Sequence, residues 1–294
     1  MKPNSKGQAK AHTKTAFTRR QFCETSAAAI AAALVPGKSL ASIGRSRFTK
    51  ASGVPTLDDL GTEWLDCSQL AHMPSLHNFH EMAACAPDLV GVNFLPGGQL
   101  YEDSGPRWFI YNTLPLCSMS VDGTAYDSVD CRWFAYQSVR RVRTSELEIV
   151  TTNRLVMEDS VILWRVAFKN TSTVKKTIQV RIDTDGVRRE VRGQIVLVAR
   201  SQKFGMSAIF HFPDAPTKST DGQYVEWEFT LLPEEHREIR FFMRAGAEDV
   251  ALQHSAPISW FESEWIRAKK VWEERWNSAF LPGNKFFPAM PPLS

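Results

Sequence analysis

Ser160-Val161-Ile162-Leu163-Trp164-Arg165-Val166-Ala167-Phe168-Lys169 is the stretch that decides the fold class. Ile162, Trp164, Val166 and Phe168 share one face, and Arg165 and Lys169 share the other. A period of two belongs to a β-strand with one side buried. The pattern recurs down the chain. Ile178, Val180 and Ile182 alternate with Gln179, Arg181 and Asp183, and Ile195, Leu197 and Ala199 follow. Val225, Trp227, Phe229 and Leu231 alternate with Glu226, Glu228 and Thr230. Ile239, Phe241 and Met243 alternate with Arg240 and Arg244. Turn-forming runs separate these segments: Lys169-Asn170-Thr171-Ser172, Asp183-Thr184-Asp185-Gly186 and Thr220-Asp221-Gly222.

Upstream, Leu89 to Leu95 predicts a strand ended by Pro96-Gly97-Gly98, and Trp108 to Leu114 predicts another. Cys117 to Val121 and Thr124 to Tyr126 flank Asp122-Gly123, a pair that favours the positive φ of a hairpin turn. Leu76 to Ala86 is expected to form a short helix. About ten strands without intervening helices predict a mainly β chain, a large antiparallel β-sandwich.

The period changes after His254. Phe261, Trp265, Ala268, Trp272 and Trp276 recur at spacings of three and four, which predicts an amphipathic C-terminal helix of about twenty residues. Leu281-Pro282-Gly283 ends it. Phe286 to Leu293 is apolar and proline-rich, a composition suited to lying against another surface.

The 294 residues carry 35 Lys+Arg, 32 Asp+Glu and a net charge of +3. Residues 1–41 hold seven of the bases and one acid, leaving 28 bases and 31 acids beyond them, a net of −3. The basicity belongs to the N-terminus, so nucleic acid is not an expected partner. Thr18-Arg19-Arg20-Gln21-Phe22, the Ala-rich run Ala27 to Val35, and Ser39-Leu40-Ala41 occur in the order of an export signal. The apolar run is too short for a membrane span, so no stable span is expected. Arg19, Arg20 and Phe22 resemble the twin-arginine export motif, with a departure at Cys23-Glu24. The resemblance implies the twin-arginine translocase as a partner, cleavage between Ala41 and Ser42, and a periplasmic or extracellular destination. The expected organisation is a leader over 1–41, a flexible lead-in over 42–75, a sandwich over 76–254, and a linker helix with an apolar tail over 255–294.

Cys67, Cys85, Cys117 and Cys131 remain beyond the leader. An even number in an oxidising compartment permits two disulfides in three pairings, and four buried thiols is an equally good reading. Cys117 and Cys131 flank the Asp122-Gly123 turn, but a two-residue turn does not place them opposite one another.

Several stretches resemble a known family. Gly91-Val92-Asn93-Phe94-Leu95 with Gly97-Gly98, the run Asp130 to Gln137 with Arg140, and Ser160 to Arg165 resemble the N-terminal sandwich of six-hairpin glycoside hydrolases. Trp272-Glu273-Glu274-Arg275-Trp276-Asn277-Ser278-Ala279-Phe280-Leu281-Pro282-Gly283-Asn284 is similar to the linker helix leading to the catalytic barrel in trehalase- and glucosidase-like members. The resemblance implies a supersandwich-like fold whose catalytic carboxylates would lie in a helical barrel downstream. No position in this chain matches a catalytic residue. The function expected is that of an exported non-catalytic sandwich packing on such a barrel; the alternative is a stand-alone carbohydrate-binding module.

Individual residues fit this reading. Glu102 with Asp103, Asp127 with Asp130, Asp183 with Asp185, and Glu226 with Glu228 are the acid pairs a glycosidase could use, but turns and wet strand faces account for them. His72, His77, His80 and Glu81 lack zinc-protease spacing, and Asp183-Thr184-Asp185-Gly186 lacks the rest of a calcium loop, so no metal or cofactor is expected. Trp164 and Trp227 are expected in the core. Trp265, Trp272 and Trp276 are expected to provide interdomain packing. Trp108, Trp133 and Tyr136 are the candidate sugar contacts, since flat rings stack on sugar faces.

Overall fold

The computed structural model describes residues 55–78, 81–95, 117–184, 186–200, 207–219, 224–248, 252 and 257–279. The first strands are β1 (Leu65–Asp66), β2 (Ser75–His77), β3 (Met82–Cys85), β4 (Val92–Leu95), β5 (Cys117–Val121) and β6 (Thr124–Ala125). The middle of the chain forms β7 (Asp130–Phe134), β8 (Gln137–Arg143), β9 (Leu147–Leu155), β10 (Val161–Asn170), β11 (Lys176–Thr184) and β12 (Val187–Val191). Then come β13 (Gln194–Arg200), β14 (Ser207–His211), β15 (Lys218–Ser219), β16 (Tyr224–Leu231), β17 (His236–Gly246) and the helix α1 (Ile258–Ala279).

Every strand pairing is antiparallel. A nine-stranded sheet runs β1-β7-β8-β9-β10-β17-β14-β13-β12, a five-stranded sheet β15-β16-β11-β5-β6, and a three-stranded sheet β2-β3-β4. The main core lies between the large sheet and the two smaller ones. Trp164 is fully buried there, stacked on Phe241 at 4.9 Å and donating its indole N–H to the Val90 carbonyl at 2.8 Å. Trp227 is buried in the same core at the edge of Phe212, so both tryptophans lie where the alternation put them.

The decisive stretch is buried on both faces at its start. Ile162 and Trp164 point into the sandwich. Val161 and Leu163 point the other way, where α1 covers them with Phe261 and Trp265. A strand covered on both sides becomes a continuous apolar run, which is why alternation begins cleanly only after Trp164.

The hairpin turn forms as its residues require. Asp122 and Gly123 both adopt positive φ, 50° and 75°, and Val121 pairs with Thr124. Arg192 and Gly193 repeat that geometry between β12 and β13.

Three expectations change. Leu76 to Ala86 is not a helix: β2 and β3 pair there, Leu76 opposite Ala83. The strand expected over Leu89 to Leu95 is confined to β4. Residues 55–75 are not a loose lead-in: Leu57 is buried, β1 pairs with β7, and one compact unit spans Gly53–Phe280. The strand expected over 108–114, the leader with Arg19, Arg20, Phe22, Ala41 and Ser42, and the tail after 279 lie outside the described residues.

Candidate functional site

Two places combine unusual geometry with charge: the seat of α1 on the large sheet, and an open depression on the outer face of the five-stranded sheet. At the seat, Phe261 and Trp265 stack with centroids 5.8 Å apart and fill the patch made by Val156, Val161, Leu163 and Phe242. Arginines frame the rings. Arg154 lies 4.3 Å and Arg165 4.4 Å from the Trp265 ring, and Arg154 also donates to the Trp265 carbonyl at 2.6 Å. Glu262 then ties the helix to two strands by accepting from Arg165 and from Arg240 (2.8 Å), while Asp214 holds Arg240 through both carboxylate oxygens. Burial pushes the neighbouring Glu238 carboxyl above its ordinary value, and Arg165 and Arg240 only partly offset this.

Farther along the helix, Trp272 and Trp276 rest half-buried on Leu57, Phe134 and Tyr136. The Tyr136 hydroxyl donates to Asp58 at 2.5 Å, Lys269 reaches the other Asp58 oxygen at 2.6 Å, and the Trp276 indole donates to the Pro55 carbonyl at 2.8 Å. The Lys269 and Tyr136 hydrogen bonds hold Asp58 below the usual carboxylate range. Burial, followed by the bond to Asp58, pushes the Tyr136 phenol up to about 12. A phenol raised in the folded state gives stability that is complete below its unfolded value, near 10, and is lost as pH rises through about 12. Melting curves are therefore expected to fall more steeply between these values for the natural chain than for Tyr136→Phe.

The depression encloses about 370 Å³ and is lined by Ser120, Gly123, Gln179, Arg181, Asp183 and Glu226. Register builds it: Arg181 on β11 sits between Ser120 on β5 and Glu226 on β16. Arg181 grips Asp183 with Nε at 2.8 and 2.9 Å from its two oxygens and lies 3.6 Å from the Tyr224 ring. Gln179 donates to Glu226 at 3.3 Å. The surface offers donors and acceptors suited to hydroxyl groups.

The other sequence candidates are dispersed. Trp133 is half-buried; its carbonyl accepts from the Thr62 N–H and its N–H donates to the Thr62 hydroxyl, both at 2.9 Å. Tyr136, expected as a sugar contact, is 4% exposed, and Arg154 and Lys269 flank its ring at 4.9 and 5.2 Å; it serves the helix seat instead. Trp108, Glu102, Asp103, His80 and Asp185 lie outside the described residues. Asp130 pairs with Arg141, and Glu228 is exposed beside Lys218. Glu81 is buried, accepting from Asn78 and Ser160, while His72 and His77 are exposed. Among the described residues no group of three or more His, Cys, Asp or Glu is placed to hold a metal ion. No described helix is long and apolar enough to cross a membrane. Sequence reasoning missed the arginine frame around Trp265, because arginine on a strand ordinarily signals the wet side.

No protein-family model matches the sequence, and neither does any curated protein. Among solved structures the chain is similar to a protein described as a kojibiose phosphorylase from human microbiome, at 12% identity and a TM-score of 0.47. That match covers 69% of this chain and 35% of the other. It is also similar to a bacterial glucoamylase complexed with acarbose, at 8% identity and a TM-score of 0.39, over 68% of this chain and 34% of that one. The chain thus spans about a third of the phosphorylase and glucoamylase chains. A galactose mutarotase-like protein from Lactobacillus casei ATCC 334 matches at 6% identity and a TM-score of 0.39, over 59% of this chain and 100% of its own. The structural neighbours of this β fold are thus carbohydrate-related proteins.

Proposed function

We propose that the chain is the exported, non-catalytic sandwich portion of a glycoside hydrolase-like protein, with α1 as its linker to a helical barrel that carries the hydrolysis. The observation that carries the reading is the seating of α1. The helix whose last turns carry the linker resemblance is held by a stacked aromatic pair, by Arg154 and Arg165 on Trp265, by the Trp276 indole, and by the Glu262 and Asp58 carboxylates. A helix fixed this firmly is suited to bracing a neighbouring domain. The twin-arginine resemblance and the −3 charge beyond the leader support export rather than nucleic-acid binding.

The purified chain is expected to show no turnover of aryl glycosides or α-glucans. Turnover that disappears with Asp183→Asn or Glu226→Gln would overturn the proposal. The carbohydrate-binding alternative is favoured by the hydroxyl-matched depression around Arg181. Affinity electrophoresis on a polysaccharide panel separates the two, since a binding module is retarded and an Arg181→Ala variant is not.

A further inference from the structure

All four cysteines after the leader are free thiols in the structure. Two of them occupy ordinary packing positions. Cys117 is buried in the five-stranded sheet, its thiol 3.8 Å from the Val90 carbonyl, and Cys85 contacts the Ser138 hydroxyl at 3.2 Å. Cys117 and Cys131 lie in different sheets, so the turn between them brings no bridge.

Cys67 and Cys131 are placed differently. On the β1–β7 pair, Leu65 is opposite Cys131 and Asp66 opposite Asp130. The Cys67 N–H then donates to the Val129 carbonyl at 2.9 Å, which carries the same register one step further. Residues two apart share a face, so Cys67 stands beside Leu65 and diagonal to Cys131. Each thiol perturbs the other's ionisation, as neighbouring sulfurs do. Cys131 is fully buried while Cys67 is half-exposed, so the pair has one inner sulfur and one reachable from solvent. β1 is an edge strand of two residues followed by a 3-10 turn, Cys67–Gln69. Few bonds resist the small shift that disulfide geometry requires.

We propose that Cys67 and Cys131 form a disulfide after folding, by exchange with a small-molecule or protein disulfide. The Cys67 thiolate attacks the oxidant's S–S bond and releases one thiol. The Cys131 sulfur then attacks Cys67 in the mixed disulfide and releases the second. Two S–H bonds are lost and one S–S bond forms. The oxidant's disulfide takes up the two electrons and two protons as a pair of thiols. Burial, with Cys131 and the Asp130 and Asp66 charges adding to it, pushes the Cys67 thiol up to about 12. Thiolate is therefore scarce near neutral pH, and closure quickens about tenfold per pH unit as the solution is made alkaline. The link pins the edge strand and encloses β2 to β6 in one covalent loop.

The test oxidises the reduced full chain with glutathione disulfide, blocks residual thiols, and maps the unreduced digest by mass spectrometry. The expected result is a Cys67 peptide joined to a Cys131 peptide. A rise in Tm of roughly 5–10 °C, reversed by dithiothreitol, should accompany it. Cys67→Ser abolishes both and leaves the reduced-state Tm nearly unchanged, because serine is nearly isosteric and the position is half-exposed. A Cys85–Cys131 link, a glutathione adduct that stays on Cys67, or both thiols remaining alkylatable after prolonged oxidation would each overturn the proposal.

Discussion

Arg140→Met is expected to destabilise the fold by about 3–5 kcal/mol, read as a lower urea midpoint with an unchanged slope. Arg140 is 0% exposed. Its Nη1 donates to the Ala86, Asp88 and Gly91 carbonyls at 3.1, 2.8 and 2.9 Å, and its Nη2 to Asn153 at 2.8 Å. The three carbonyls belong to the turn joining β3 to β4, and Asn153 belongs to β9, so one guanidinium joins the small sheet to the large one. Methionine fills similar volume and removes the buried charge, but it leaves the carbonyls without their donor, at about 1–3 kcal/mol for each group that stays dry. Relaxation and entering water bring the total down to the stated range. Arg140→Lys is expected to recover less than half the loss, since an ammonium cannot span this planar fork of acceptors. A change below about 1 kcal/mol for the methionine variant would contradict this role.

Phe261→Ala is expected to cost a similar amount, about 3–5 kcal/mol, because it empties the centre of the helix seat. Phe261 is 0% exposed, under the stacked Trp265 ring and against Leu163 and Phe242. The loss should be accompanied by faster tryptic cleavage at Arg267, Lys269 and Lys270, which a loosened helix presents to the protease. The double variant with Trp265→Ala should cost less than the sum of the single ones, since the rings touch and vacate a shared space. Unchanged cleavage in a destabilised Phe261→Ala variant would mean that the helix is held chiefly by Glu262 and Lys269.

The strands with one polar face were legible in the sequence. Those from Ile178 and Val225 alternate because water wets their other side, and those from Ile162 and Ile239 keep polar residues on that side beyond the patch that α1 covers. β8 hid its identity: Arg140 and Arg141 are adjacent, and both are buried. Arg140 feeds a set of carbonyls and Arg141 stacks 3.6 Å from the Trp64 ring, so neither marks a wet face. β3 was concealed by composition. Met82-Ala83-Ala84-Cys85 favours a helix locally, but pairing with β2 and β4 on both edges overrides that weak preference. β1 is too short for any period, and only its partner β7 makes it a strand. At the candidate site, the helix stripe was legible from its spacing of three and four. The depression was not, because its rung of Ser120, Arg181 and Glu226 joins residues far apart in sequence.

The double-sided burial of the start of β10 bears on how this chain must be made. Val161 and Leu163 leave the ribosome about 100 residues before the Phe261 and Trp265 that cover them. At about 5–20 residues per second, that stripe stays uncovered for roughly 5–20 s of synthesis. For that interval the nascent sheet has an oily outer surface that no residue yet made can hide. Holdase capture of stalled nascent chains should therefore be strong for lengths ending near residue 250 and should fall once the whole of α1 has emerged.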